Sequence, residues 1–223
     1  MRYRKKKWAD KEIAENTAFI EEPQMLKGSW QKAFNNTAPI YIEIGCGKGG
    51  FISKMAALYP HINFIGIERE KQIIVTALKK VREAQISNVR FCLWDAEKLN
   101  DIFDTGETRR IYINFCDPWH RKKKWAKRRL THRNFLERYE SLFGEKGGEV
   151  FLKTDNMILF EFSLNEFSDK LWRLHNISLD LHNSDFKDNV MTEYEEKFSG
   201  LGQPIYRLEA YYKTTPEGED EGL

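Results

Sequence analysis

Along this chain, short apolar runs trade places with longer stretches whose apolar positions recur every three or four residues. The runs PIYIEIG (39–45), INFIGIE (62–68), NVRFCLW (88–94), RIYINFC (110–116), GEVFLKT (148–154), HNISLDL (175–181) and IYRLEAYY (205–212) predict seven strands. Segments 48–60, 70–85, 96–103, 133–143 and 156–174 carry the spacing of amphipathic helices. Five strands alternating with helices require a parallel sheet covered on both faces. The last two strands show no helical crossover and are expected to pair antiparallel at an edge. Ligands of such an α/β sheet gather at the carboxyl ends of its strands.

Composition sharpens this picture in two ways. With 223 residues and 41% hydrophobic content, the chain can bury one sizeable core. We expect a basic arm over 1–37, one domain over 38–213 and an acidic, disordered tail over 214–223. The formal charge of +2 conceals strong asymmetry, because RYRKKKW at the start and the run from Arg121 to Arg133 are basic while EGEDEGL at the end is acidic. The three cysteines lie far apart and form no metal or redox pair, and no run of apolar residues is long enough to cross a membrane. A cytoplasmic protein, monomeric or homodimeric, without a metal is expected.

The stretch EIGCGKGGF (43–51) closes the first strand and opens the first helix, with Gly45, Gly47 and Gly50 in a GxGxxG pattern. A dinucleotide would bring an anionic pyrophosphate to this turn, where Glu43 repels it. S-adenosylmethionine brings a sulfonium and an ammonium, for which that carboxylate is an attractive neighbour. Glu68 ends the second strand about twenty residues on, suited to ribose hydroxyls. Asp95, after Trp94, ends the third and can accept a bond from an adenine amine, although an acid before AEKL is also a helix cap. Over about residues 39–155 the chain resembles the class I S-adenosylmethionine-dependent methyltransferases. The resemblance implies a Rossmann-like, seven-stranded mixed sheet with its last strand inserted antiparallel.

The fourth strand delivers Asp117-Pro118-Trp119, a turn leaving the sheet, since proline ends the ladder. Asp117 and Trp119 then flank the crevice. Arg121, Lys122, Lys123, Lys124, Lys127, Arg128 and Arg129 follow at once, a density of like charge that the phosphates of a polyanion would relieve. DPWHRKKKWAKRRL, together with FLKTDN (151–156) and TEYEEKF (192–198), is similar to the signature of the bacterial tRNA (guanine-N7-)-methyltransferases. His120 stands where that family has a proline, and one extra residue precedes KRRL.

This resemblance implies methylation of guanine N7 in the variable loop of tRNA. Asp117 becomes the catalytic candidate, also touching cofactor; Arg121, Asp155, Thr192 and Glu195 become substrate contacts, with Glu195 reading the guanine edge. Residues 2–7 and 121–133 are expected to grip phosphates. TEYE is equally a capping box and TDN a helix start. Cys116 is expected to be a small strand residue. The rival readings are an exocyclic-amine RNA methyltransferase, a non-catalytic RNA-binding protein of the same fold and, third, a dehydrogenase.

Overall fold

Strands form at all seven expected places: β1 Ile40–Ile44, β2 Asn63–Glu68, β3 Val89–Leu93, β4 Arg110–Asn114, β5 Gly148–Thr154, β6 Arg173–Ser178 and β7 Tyr206–Tyr212. The computed structural model describes residues 7–119 and 121–214, excluding the side chains of 7–10 and 123. Among the described residues seven α-helices accompany the strands: α1 Lys7–Glu15, α2 Gly50–Leu58, α3 Lys71–Glu83, α4 Leu99–Ile102, α5 Arg133–Phe143, α6 Met157–Asp169 and α7 Glu193–Ser199. All strands join one sheet in the order β3-β2-β1-β4-β5-β7-β6.

Neighbours among β1 to β5 pair parallel, whereas β7 pairs antiparallel with both β5 and β6. The last two strands therefore pair as expected, with one correction: only β7 is reversed, and it lies one place in from the edge. The helix read at 156–174 is α6, and it supplies the crossover from β5 to β6 that the expectation for the last two strands left out; it stops at Asp169, and Leu171 at φ +59 turns the chain into β6. Leu174 continues the helical spacing of α6 but belongs to a strand.

β1 is buried at every position, as a central parallel strand should be. On one face, Ile42, Ile44, Ile65 and Ile67 pack with α5 and α6. On the other, Tyr41, Phe64 and Tyr112 pack with α2 and α3. α3 joins that core through Ile74, Val75, Leu78 and Val81, one helical stripe. Each such side chain contributes about 1.5–3 kcal/mol by leaving water.

From Lys7 onward, the segment expected as an arm is packed against the domain. Phe91 N–H donates to Ala18 O at 2.7 Å and Ile20 N–H to Phe91 O at 2.8 Å, extending the sheet beyond β3. Trp30 is fully buried, stacked on Phe103 at 5.1 Å, and its indole donates to Ile102 O at 2.6 Å. The basic residues at 2–6 and the acidic ones at 215–223 lie outside the described residues.

Candidate active site

The carboxyl ends of β1, β2, β3 and β4 open onto a cavity of about 840 Å³. Gly45, Glu68, Trp94, Asp95, Asp117 and Trp119 line it, so four of the residues selected from sequence as cofactor contacts share one wall. The crevice lies where β1 parts β2 from β4, the switch point at which doubly wound sheets bind ligands.

Glu68 ties the site together. Its carboxylate accepts from Gly47 N–H at 3.0 Å, Arg69 N–H at 2.7 Å and Glu70 N–H at 3.1 Å, which fixes the glycine loop to the end of β2. Gly45 and Gly47 hold φ +74 and +56, backbone that other residues adopt only with strain. Asp95 performs the capping role foreseen for it, accepting from Glu97 N–H at 2.9 Å, and it stands 3.7 Å from Arg69 while still facing the cavity.

Glu43 is placed differently from the other acids. It is 3% exposed and is not among the residues lining the cavity, and it accepts from Asn114 Nδ2 at 2.9 Å, while its second oxygen finds no partner. Burial pushes its carboxyl pKa up to about 8, against the pull of Asn114 and Lys153. A carboxyl in that setting holds its proton over much of the neutral range.

After β4 the chain turns through Phe115 at φ +50 and Trp119 at φ +44, two non-glycine residues in the left-handed region within five positions. Such strain persists only where the surroundings enforce it. Arg129 is one enforcer: it is buried, donates to Pro118 O at 2.9 Å and lies over the Phe162 ring at 4.3 Å. Burial also lowers its pKa. Arg129 thus stands apart from the other cations of the run: it is buried and its Nε holds the turn. Arg121, Lys122, Lys124, Lys127 and Arg128 are exposed, whereas the side chain of Lys123 and all of His120 lie outside the described residues. Arg128 lies over Trp119 at 4.9 Å and Lys122 over Trp125 at 5.0 Å, with the two indoles edge to face at 5.9 Å.

Three further residues were expected to contact substrate. Asp155, at the end of β5, accepts from Tyr194 Oη at 2.8 Å and Gln203 Nε2 at 3.3 Å. Thr192 caps α7 by accepting from Glu195 N–H, and the reciprocal bond completes the capping box. Glu195 is 0% exposed and fully engaged by Lys153 Nζ at 2.7 Å, Asn189 Nδ2 at 2.6 Å and Thr192 N–H at 3.4 Å, with His182 Nε2 at 3.2 Å. In this arrangement it presents no oxygen to a base and instead anchors the segment that carries α7.

Comparison with known proteins bears on what such a site does. Residues 37–208 match the family model described as "Putative methyltransferase". A tRNA (guanine-N(7)-)-methyltransferase of Bacillus velezensis is 54% identical, covering 96% of this chain and 98% of the relative. Its counterpart in Halalkalibacterium halodurans is 49% identical over 99% and 100%. The chain belongs to the tRNA (guanine-N7-)-methyltransferase family. Among solved structures, a 16S rRNA methyltransferase is superimposable with TM-score 0.62 at 10% identity, covering 85% of this chain and 94% of the other. An antibiotic-related methyltransferase gives 0.59 at 18%, covering 84% and 94%. These likenesses establish the class I methyltransferase fold.

In this methyltransferase chain, sequence reasoning missed the clasp that brings α7 to the site. Glu193 pairs with Lys80 of α3, Glu196 lies 2.5 Å from Lys54 of α2, and Lys54 also donates to Met191 O at 3.0 Å. The Glu193 carboxylate lies over Gly50, in space that a Cβ there would share. The partners lie more than 100 residues apart, so no local spacing announces them. Phe115 and Tyr194 were also passed over, although the first stands in the strand run RIYINFC and the second inside TEYEEKF.

Proposed function

We propose that this chain transfers a methyl group from S-adenosylmethionine to N7 of a guanine in the variable loop of tRNA. One observation carries the reading: an acid-lined cavity at four strand ends whose Asp117 lip leads directly into a run of exposed cations. The lining fits the cofactor, since Glu68 has acceptor capacity left for ribose hydroxyls, Trp94 and Ile73 offer apolar surface to adenine, and the acids favour its positive charges. When bound, S-adenosylmethionine supplies an electrophilic methyl.

Guanine N7 carries a lone pair and no proton, so the protein needs no general base and acts through orientation. The purine becomes cationic as it is methylated, and Asp117 stabilises that developing charge. Burial pushes the Cys116 thiol up to about 12, which leaves no thiolate for covalent chemistry at neutral pH. Arg121, Lys122, Lys124, Lys127 and Arg128 hold phosphates around the target loop. Lys123 and the cations at 2–6 join them by charge. Asp155 and Thr192 serve the substrate side by fixing α7.

The exocyclic-amine alternative is separable by the acceptor atom. A tRNA transcript made with 7-deazaguanosine lacks the N7 lone pair but keeps the amine. We expect it to compete for binding yet accept no methyl; methyl incorporation into it would reject the assignment to N7.

A further inference from the structure

Phe115, Tyr194 and Phe198 form an aromatic stack that belongs to neither hydrophobic core. The Phe115 and Tyr194 rings lie 4.9 Å apart at 38°, and Tyr194 and Phe198, one helical turn apart on α7, lie 4.3 Å apart at 32°. Phe115 lines the cavity two residues before Asp117, held in left-handed backbone. Tyr194 is 42% exposed, a large aromatic surface left in water. Its hydroxyl donates to Asp155 Oδ2, so the ring is oriented from β5 while its neighbour is oriented from β4. Burial and the Asp155 bond push the Tyr194 pKa up to about 12, which keeps the hydroxyl a donor at neutral pH.

A rigid, partly exposed aromatic edge beside a polar cavity is how proteins seat an unstacked base, because every base has a π-face and two-torsion rings cost little entropy to fix. The proposal rests on the function proposed above and deepens it. We propose that the Phe115–Tyr194 pair is the stacking platform for the target purine, and that Asp155 acts as a positioning residue, locking the Tyr194 ring rather than contacting the base. The clasp of Glu196 on Lys54 then ties platform geometry to α2, the helix that follows the glycine loop, and that of Glu193 on Lys80 ties it to α3.

The test uses the full chain and a tRNA transcript carrying 2-aminopurine at the target position, whose fluorescence falls when the base stacks on an aromatic ring. The parent protein, with S-adenosylhomocysteine present, is expected to quench it. Tyr194→Ala is expected to abolish most of the quenching and to raise KM for unlabelled tRNA on the order of tenfold, with cofactor affinity unchanged. Tyr194→Phe keeps the ring and should retain quenching at saturation. Asp155→Ala should raise KM a few-fold while its cofactor affinity and melting temperature hold. Quenching by Tyr194→Ala equal to that of the parent overturns the platform, even where tRNA is still methylated. If the parent methylates no tRNA, the proposed function itself fails, a distinguishable outcome. Circular dichroism of Tyr194→Ala separates loss of the platform from unfolding, and if that variant unfolds, the same readouts on Tyr194→Leu, which fills the site without a π-face, decide the question.

Discussion

Asp117 stands exposed at the lip of the cavity, one residue after Cys116 and eleven before Arg128, between the acid wall and the cationic rim. Asp117→Asn preserves shape and removes charge, so turnover should fall on the order of 100-fold with little change in melting temperature; near-parental turnover would remove it from the mechanism. Glu43 makes a different prediction. Its carboxyl is protonated in the folded chain up to about pH 8 but ionised in the unfolded chain above the ordinary 4.5. The folded state binds the extra proton, so stability falls as pH rises through that window. Glu43→Gln keeps the neutral form and the Asn114 bond. It should be close to the parent near pH 5 and exceed it near pH 8, by on the order of 3–4 kcal/mol, in thermal melts of the ligand-free protein. Equal melting temperatures at both pH values would contradict the buried, half-partnered carboxyl. Glu68, Asp95 and Asp117 were legible in sequence because strand ends and loop register fix their positions. The settings of Glu43, Arg129 and Glu195 were not, because burial there depends on Asn114, Phe162 and Lys153, residues distant in sequence.

At the level of elements, the strands were legible because parallel strands buried on both faces leave unbroken apolar runs. The boundary of α6 was not, since Trp172 and Leu174 satisfy helical spacing while serving β6 and the core beneath it. α7 was visible only as a capping box. Its attachment to α2 and α3 rests on half-exposed ion pairs, each worth about 1 kcal/mol or less. Replacing Lys54 and Lys80 together by alanine should therefore leave global stability nearly unchanged and speed hydrogen exchange selectively in α7. Uniform acceleration across the sheet, or none in α7, would show that the clasp does not hold this helix. By contrast, Trp30→Ala empties a fully buried site and should cost about 3–5 kcal/mol in denaturant unfolding, because the segment before β1 is part of the folded unit.

Across the whole molecule, charge is sorted by place: carboxylates inside the crevice, cations along the lip, and near neutrality in sum. Replacing Lys124, Lys127 and Arg128 by alanine should weaken tRNA binding and reduce the slope of log affinity against log salt by about 2, leaving cofactor affinity intact. Arg129→Ala should instead destabilise the turn after β4 with a smaller change in slope. The account as a whole is tested most directly by incubating the purified chain with methyl-labelled S-adenosylmethionine and unmodified tRNA, then digesting the RNA to nucleosides. It predicts that the label is recovered as 7-methylguanosine; label recovered in an amine-methylated nucleoside, or none transferred at all, would contradict it.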